Sequence, residues 1–287
     1  MTLMYSRTFV FATLLIAVVS AGFVAIPQRR LPLVPLVPTE ELEGRITNGE
    51  LAKPGQFKYQ VGLKLAIGDK SAWCGGTLLS ERWILTAAHC TDGVDGVTVY
   101  LGATDIHNEN EEGQQRIFAS KSNIIVHEKW EPATLSNDIS LIKLPVPVEF
   151  NDYIQPATLP KKNGQYATYD GEMVWASGWG KDSDSATAVS QFLRYIQVPV
   201  LPRNDCTKYY AGSVTDKMIC ISGKDGKSTC NGDSGGPLVY KEGDTNYVIG
   251  ATSFGIIIGC EKGWPGVFTR VTSYLDWIEE NSGLVNA

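Results

Sequence analysis

Short runs of apolar, β-branched and aromatic residues recur along the chain beyond residue 45, and clusters of glycine, proline and asparagine separate them. Brief runs of this kind, divided by turn-forming residues, are typical of strands in a β-sandwich or a β-barrel. The clearest predicted strands lie at residues 97–100, 139–144, 173–176, 192–200, 247–253 and 267–271.

Helical periodicity is strongest at the C-terminal end, where one helical face collects Val271, Leu275 and Ile278. Thr272 or Ser273 is the expected N-cap of this helix, because a hydroxyl there can accept a bond from an unpaired backbone N–H. A second, short helix is predicted near residues 204–210. A parallel α/β fold needs helices between its strands, so the pattern favours an all-β fold with a terminal helix.

The N-terminal residues have the pattern of a secretory signal peptide. Arg7 precedes a nearly unbroken apolar run at residues 9–19, and the small residues Val19-Ser20-Ala21 suit cleavage after Ala21. The run is shorter than the roughly 20 residues that span a bilayer, which counts against the alternative of an uncleaved signal anchor. We therefore expect residues 1–21 to be removed and the protein to be secreted.

Residues 22–45 form a proline-rich stretch without cysteine. Its spaced prolines favour an extended, solvated backbone, so this stretch is not expected to be a domain. It ends at the basic residue Arg45, and the apolar residue Ile46 follows.

Composition narrows the class of protein further. The 287-residue chain is 43% hydrophobic and 20% charged, which supplies ample material for a core and excludes disorder as its main character. Its formal net charge is −6. No nucleic-acid partner is expected, because binding to nucleic acid depends largely on basic side chains.

All six cysteines lie beyond residue 45, and an even number in a secreted chain predicts three disulfides. The sequence alone does not choose among the possible pairings, although pairing of chain neighbours would close the shortest loops. A zinc site needs CxxC-type or histidine-rich spacing, which is absent from the sequence, so no metal is expected. The six are Cys74, Cys90, Cys206, Cys220, Cys230 and Cys260.

The segment Gly-Asp-Ser-Gly-Gly-Pro at residues 232–237 carries the strongest chemical signal. A nucleophilic serine needs a base, and the base needs an orienting partner. Among the three histidines, His89 ends an apolar strand beside a cysteine and would be rigidly held. His107 and His127 are predicted to be ordinary surface residues or satisfied core residues, with His127 in a solvated turn. Asp138 opens an apolar strand, where a buried carboxylate needs a partner such as an imidazole.

Residues 232–236 also fit the G-x-S-x-G pattern of the α/β-hydrolases. Those enzymes place the histidine of their triad after the serine in the chain. No histidine follows Ser234 in the sequence, so this alternative fails.

With His89, Asp138 and Ser234 in this order, and with TAAHC, NDIS and GDSGGP around them, the chain resembles the chymotrypsin/trypsin family of serine endopeptidases. The motifs RITNG, CGGTLL, SGWG and PGVFTRV extend the resemblance over nearly all of residues 46–287. It implies an all-β fold of two antiparallel six-stranded β-barrels, at residues 46–156 and 157–287, with a C-terminal α-helix.

The resemblance also implies the role of each site residue. Ser234 would attack the scissile carbonyl, His89 would take its proton and pass it to the leaving amine, and Asp138 would orient the imidazole. The N–H groups of Gly232 and Ser234 would form the oxyanion hole. Ser253 is expected beside Asp138.

By the same resemblance, residues 22–45 are an activation propeptide. Cleavage after Arg45 would free the amine of Ile46, which would insert and pair with Asp233. A buried carboxylate without a partner is costly, so the precursor is expected to be loosely formed there.

The primary specificity pocket of the family corresponds to Ser228, Ser253, Phe254, Gly255 and Gly266. Trypsin-like members have an aspartate where Ser228 stands, so the pocket floor is expected to be neutral here. A substrate Arg or Lys would then be desolvated without a counter-charge. We therefore predict cleavage after large apolar or aromatic residues.

Two alternatives remain open. The stretch from Ser253 to Val271 resembles brachyurin-type invertebrate collagenases, which have broad specificity, but Gly266 stands where those can carry an acidic residue. The other alternative is an inactive homologue that acts as a binding protein, and the complete Ser-His-Asp set argues against it.

The resemblance implies a digestive-type monomer that acts on proteins or peptides, is bound by protein protease inhibitors and needs no cofactor. A separate, trypsin-like protease is expected to activate it, and no membrane contact is expected after signal removal. The acidic loop at residues 109–112 offers oxygens of the kind that calcium prefers. However, Ala103 stands where calcium-binding relatives have a glutamate, so a solvated loop is favoured over a metal site.

Overall fold

The computed structural model describes residues 47–255 and 258–285. The predictions for the signal peptide, the proline-rich stretch, Arg45 and Ile46 lie outside these residues. Among the residues described, no helix is both long enough and apolar enough to cross a membrane.

Strands dominate this part of the chain, and its helices are short. In β10, for example, Ile196, Val198 and Val200 are buried while Gln197 and Pro199 between them are exposed, as expected for a strand with one face on a core. The strands are β1 (Glu50–Leu51), β2 (Gln60–Ile67), β3 (Lys70–Leu78), β4 (Trp83–Thr86), β5 (Gly96–Leu101), β6 (Gln115–Ser120), β7 (Ile124–Val126), β8 (Ser140–Lys143), β9 (Met173–Gly178), β10 (Arg194–Leu201), β11 (Met218–Ile221), β12 (Pro237–Glu242), β13 (Thr245–Phe254) and β14 (Gly266–Arg270), and the helices are α1 (Ala88–Thr91), α2 (Arg203–Tyr209) and α3 (Leu275–Ser282).

The strands form two antiparallel sheets. The first has the order β6-β5-β2-β3-β4-β8-β7 and encloses an apolar core that includes Leu63, Ile84 and Ile142. A 3-10 turn at Lys121–Asn123 leads from β6 to β7, which lie at opposite edges of the sheet. The chain therefore crosses from one edge to the other at this turn and curls the sheet into a barrel.

The second sheet has the order β1-β10-β11-β14-β13-β12-β9, and β9 also pairs with β10. This extra pairing closes β9 to β14 into a ring around a core that includes Ile219, Leu238 and Phe268. The predicted two-barrel fold is confirmed, with seven strands in each sheet where six were predicted. The additional strands arise because the two-residue β1 joins β10 and because the 3-10 turn separates β6, which pairs with β5, from β7, which pairs with β8.

The C-terminal helix is present, but its predicted N-cap is wrong. Thr272 and Ser273 lie in a 3-10 turn at Val271–Tyr274, and α3 begins after Tyr274 without a side-chain cap. Val271 and Tyr274 are both buried, so packing against the core directs the chain at this point. Helix α2 agrees with the short helix predicted near residues 204–210.

Three disulfides join neighbouring cysteines along the chain, which is the pairing that closes the shortest loops. The bridges are Cys74–Cys90, Cys206–Cys220 and Cys230–Cys260. A further apolar cluster includes Leu85 and Leu141 from the first sheet, Val239 and Val248 from the second, and Trp277 from α3. This shared core fixes the two barrels against each other in one unit and so holds the residues at their junction.

Candidate active site

His89 and Asp138 are joined by two hydrogen bonds. His89 lies in α1, directly after the buried strand β4, and Asp138 lies two residues before β8, which pairs with β4. Nδ1 of His89 is 2.8 Å from Oδ2 of Asp138, and the backbone N–H of His89 donates to Oδ1 at 2.9 Å. The imidazole is one-quarter exposed while the carboxylate is fully buried. The strand pairing therefore places a solvent-accessible base on a buried anion.

Two further side chains hold Asp138. Oγ of Ser253 donates to Oδ2 at 2.5 Å, and Oγ1 of Thr269 donates to the Asp138 carbonyl at 2.6 Å. The predicted neighbour Ser253 therefore lies beside Asp138. Thr269, on β14, was missed by sequence reasoning because nothing in the local pattern relates it to a residue 131 positions away.

Ser234 lies on the loop that leads into β12, and its backbone carbonyl is close to the cysteine that follows His89. Its carbonyl accepts the N–H of Gly75 at 2.7 Å and is 3.5 Å from Sγ of Cys90. That sulfur is in turn 3.8 Å from Nε2 of His89. A Cβ at Gly235 would lie 2.1 Å from Oγ1 of Thr86, so a side chain there would push the serine loop away from the first barrel.

The backbone N–H groups of Gly232 and of Ser234 itself lie in the same short loop. Within residues 47–255 and 258–285, the structure shows no acceptor for either N–H group. Gly232 has a φ of +104°, and a Cβ there would lie 2.7 Å from Cγ1 of Val189. Glycine is therefore needed at this position. Two N–H groups in the same short loop as a serine are of the kind that stabilises a negatively charged oxygen.

Asp233 is completely buried, and burial raises the pKa of its carboxyl group to about 6. Its two oxygens accept the N–H groups of Gly180 at 2.7 Å and Cys230 at 2.8 Å. A Cβ at Gly178 or at Gly180 would lie 2.2 Å from the carboxylate, so these glycines make room for it. No cationic side chain among the described residues forms an ion pair with Asp233.

Ser228, the predicted pocket floor, is buried and held by Thr47. Oγ1 of Thr47 donates to the Ser228 carbonyl at 3.1 Å and accepts the Ser228 N–H at 3.2 Å. Sequence reasoning missed this contact, which joins residues 181 positions apart. Thr47 directly follows Ile46, so the residue after the predicted new N-terminus holds Ser228 in place.

The other predicted pocket residues cluster around β13 and β14. Phe254 packs edge-on against Tyr210 with ring centroids 5.4 Å apart. Apart from its chain neighbours, no described residue has an atom within 4 Å of a Cβ placed at Gly255. A Cβ at Gly266 would meet Ile221 and Thr229 at 3.2 to 3.4 Å.

The carboxylates of the acidic loop at residues 109–112 bond to nearby residues of the first barrel. Oε2 of Glu111 accepts the N–H groups of Thr104 and Asp105, and Glu109 pairs with Arg116 at 2.9 Å. The guanidinium of Arg116 also donates to the Ile106 carbonyl. Two clusters of ligand-type side chains occur among the described residues, and both rely on disulfide-bonded cysteines, which are not free to bind a metal.

His127 is buried, so the predicted solvated turn is wrong, while the alternative of a satisfied core histidine agrees with the structure. Its ring stacks on Trp277 at 5.0 Å and meets Tyr274 edge-on at 5.5 Å, while Nδ1 accepts the N–H of Lys129. Burial lowers the pKa of the imidazole, and nearby Lys217 and Lys129 lower it further against an opposing effect of Glu128.

Replacing His127 with phenylalanine should make the unfolding free energy less sensitive to acid. Because the pKa of His127 is lower in the folded state, its contribution is complete above the unfolded value of about 6.5 and is lost as the pH falls below it. Phenylalanine keeps the ring stacking but takes up no proton. Urea unfolding at pH 7.5 and 5.5 measures the change. His107→Phe, at an exposed position, is the matched control, and an equal pH slope in all three proteins would contradict the prediction.

Two antiparallel barrels, with His89 and Asp138 carried by the first and Ser234 by the second, define the class of serine peptidases with a chymotrypsin-type fold. The trypsin family model matches residues 46–278. The chain belongs to the trypsin family, and it is a serine protease.

Individual relatives support this assignment. Serine protease 1 of Drosophila melanogaster is 42% identical over 247 residues, which cover 86% of this chain and 89% of the relative. Brachyurin of Leptuca pugilator is 43% identical over 239 residues, or 83% of this chain and 99% of the relative. Collagenase of Hypoderma lineatum is 42% identical over 247 residues, or 85% of this chain and 89% of the relative. The solved structure of HL collagenase matches with a TM-score of 0.75 and 39% identity, covering 84% of this chain and all of that one.

Proposed function

We propose that this chain is the secreted precursor of a digestive-type endopeptidase, which is activated by cleavage after Arg45 and cuts peptide bonds after large apolar or aromatic residues. The pairing of His89 with the buried Asp138, together with the contact between Cys90 and the Ser234 carbonyl, is the observation that carries the proposal. Turnover of peptide amides after controlled cleavage at Arg45 tests it.

Ser234 is the nucleophile in this proposal, and His89 is its base. Because Nδ1 of His89 faces Asp138, its Nε2 is left to accept the proton of the serine hydroxyl as the oxygen attacks the carbonyl carbon. The N–H groups of Gly232 and Ser234 stabilise the resulting oxyanion. Loss of one such donor typically lowers kcat by about 10²–10³-fold. His89 then protonates the leaving amine, and a water molecule activated by His89 hydrolyses the acyl-enzyme.

Activation follows from the state of Asp233. Burial raises the pKa of this carboxyl group, the two N–H bonds that it accepts oppose the rise, and no cationic partner is present among the described residues. The amine freed at Ile46 would supply that positive charge. Since Thr47 comes next and binds Ser228, insertion of the new terminus would hold Asp233 and the pocket floor together.

Replacing Arg45 with glutamine should leave the precursor inactive after exposure to a trypsin-like protease. The protease needs a basic residue before the bond it cuts, so the Ile46 amine is never freed. Peptide amide turnover and N-terminal sequencing measure the outcome. Arg30→Gln, a second basic site in the same leader, is the matched control and should activate normally. Activity in Arg45→Gln together with an intact bond at Ile46 would contradict the proposed activation.

Replacing Ser228 with aspartate should shift specificity towards basic residues. A carboxylate at the buried floor provides the counter-charge that a desolvated Arg or Lys needs. We expect the ratio of kcat/KM for Arg over Phe amides to rise at least about tenfold. Kinetics of the cleaved protein on matched substrates that differ only in this residue measure the ratio.

The control for this change is Ser122→Asp, which adds the same charge at an exposed residue of the first barrel. It should leave the ratio unchanged. A preference for Arg in the unsubstituted protein would refute the neutral pocket, and an unaltered ratio in Ser228→Asp would place the pocket floor elsewhere.

Broad, collagenase-like specificity is the second candidate. It is favoured by relatives named brachyurin and collagenase. Hydrolysis of both Arg and Phe amides at comparable rates by the unsubstituted protein would support it. In either case we propose that the protein is secreted, acts as a monomer on protein substrates, and is subject to protein inhibitors.

A further inference from the structure

Asp184 joins two loops that border the segment of Ser234. It lies between β9 and β10, where its Oδ1 accepts the N–H of Cys260 at 2.6 Å. Its own N–H donates to Oε2 of Glu261 at 2.9 Å. Asp184 is therefore the acceptor in one bond and the donor in the other, and together the two bonds join the loops. Nζ of Lys262 is 3.8 Å from Oδ2, but both groups are partly exposed, and such an ion pair contributes little.

The backbone beside Asp184 is shaped for this contact. Gly259 has a φ of +136°, a conformation that residues with side chains rarely adopt. A Cβ there would lie 2.4 Å from Oδ2 of Asp184. Only glycine lets the carboxylate come close enough to reach the N–H of Cys260.

The loop held by Asp184 forms one wall of a cavity of about 310 Å³ beside the Ser234 segment. Cys260 is bonded to Cys230, which lies four residues before Ser234. Asn231 lines the cavity next to Gly232, and its carbonyl accepts the N–H of Lys181. Ile258 also lines it and is 63% exposed, so it offers an apolar surface to a bound chain.

We propose that Asp184 is a positioning residue for substrate binding. Through Cys260 it fixes the cavity wall that an extended peptide contacts next to Ser234, without touching the reacting atoms. The Ser234 segment has supports of its own, since Gly235 donates to the Thr252 carbonyl at 2.7 Å. Loss of Asp184 should therefore affect KM and leave kcat nearly unchanged. This inference rests on the proposed function of Ser234.

The test compares Asp184→Ala with Asp184→Asn in the cleaved protein, on a peptide with several residues on both sides of the scissile bond. Alanine removes the acceptor for Cys260, and we expect KM to rise about tenfold, with kcat within about threefold. Asparagine keeps an oxygen at this position and should restore most of the affinity. Lys262→Ala, which removes only the exposed ion pair, is the matched control and should behave like the unsubstituted protein.

A small sulfonyl fluoride, which modifies the reactive serine without filling the cavity, separates the possible results. Equal rates of labelling in all four proteins, with a raised KM in Asp184→Ala alone, support the inference. An unchanged KM in Asp184→Ala, or an equal rise in Asp184→Asn, overturns it. A labelling rate that falls in Asp184→Ala also overturns it, because the aspartate would then support the catalytic segment itself. Failure to label the unsubstituted protein would instead refute the proposed function, and this inference with it.

Discussion

Replacing Ser234 with alanine should lower kcat of the cleaved protein by about 10⁶-fold, to the rate that binding and the unpaired N–H groups supply without a nucleophile. A methyl group cannot attack the carbonyl, and His89 then has no hydroxyl proton to accept. KM should change little, because the predicted pocket at Ser228 is not altered. Long incubations with a Phe peptide amide, after removal of the activating protease, measure the remaining turnover.

The control for this experiment is Ser213→Ala, an equal substitution at an exposed residue after α2. It should retain full turnover, and both variants should melt at the temperature of the unsubstituted protein. Substantial turnover in Ser234→Ala would mean that another group is the nucleophile. An inactive but correctly cleaved and folded unsubstituted protein would favour the binding homologue.

The parts of the molecule that follow from local sequence were predicted well. Strands such as β5 and β14 agree with their apolar runs because alternation and turn residues act over a few positions. The paired cysteines are 14 to 30 positions apart, which is the neighbour pairing that the sequence offered without choosing it over the alternatives. The order of His89, Asp138 and Ser234 along the chain is by itself enough to exclude the α/β-hydrolase alternative.

Contacts between distant segments were not predictable in the same way. The burial of His127 depends on Trp277, which lies 150 positions later and covers one face of the ring. The support of Ser228 by Thr47 likewise joins residues 181 positions apart. A short polar stretch looks like a surface turn whether or not another element packs over it, so local pattern alone cannot reveal such a partner.

Replacing Asp138 with asparagine should lower kcat by about 10⁴-fold while the fold is retained. Oδ1 of Asp138 accepts the backbone N–H of His89, so the asparagine oxygen must take that place to avoid two opposed donors. Its NH₂ group then faces Nδ1, which must accept a bond and carry no proton. The neutral imidazole then carries its proton on Nε2. That nitrogen therefore cannot accept the hydroxyl proton of Ser234.

Ser253→Ala separates this tautomer effect from a simple loss of support. It removes the 2.5 Å bond to Oδ2 of Asp138 but leaves the carboxylate to accept from Nδ1, so we expect at most about a tenfold loss in kcat. Labelling of Ser234 by the sulfonyl fluoride should slow in Asp138→Asn in parallel with kcat, since both reactions need Nε2 as a base. If Asp138→Asn kept kcat within tenfold of the unsubstituted protein, the buried carboxylate would be a structural anchor for α1, and the base at His89 would act without an orienting charge.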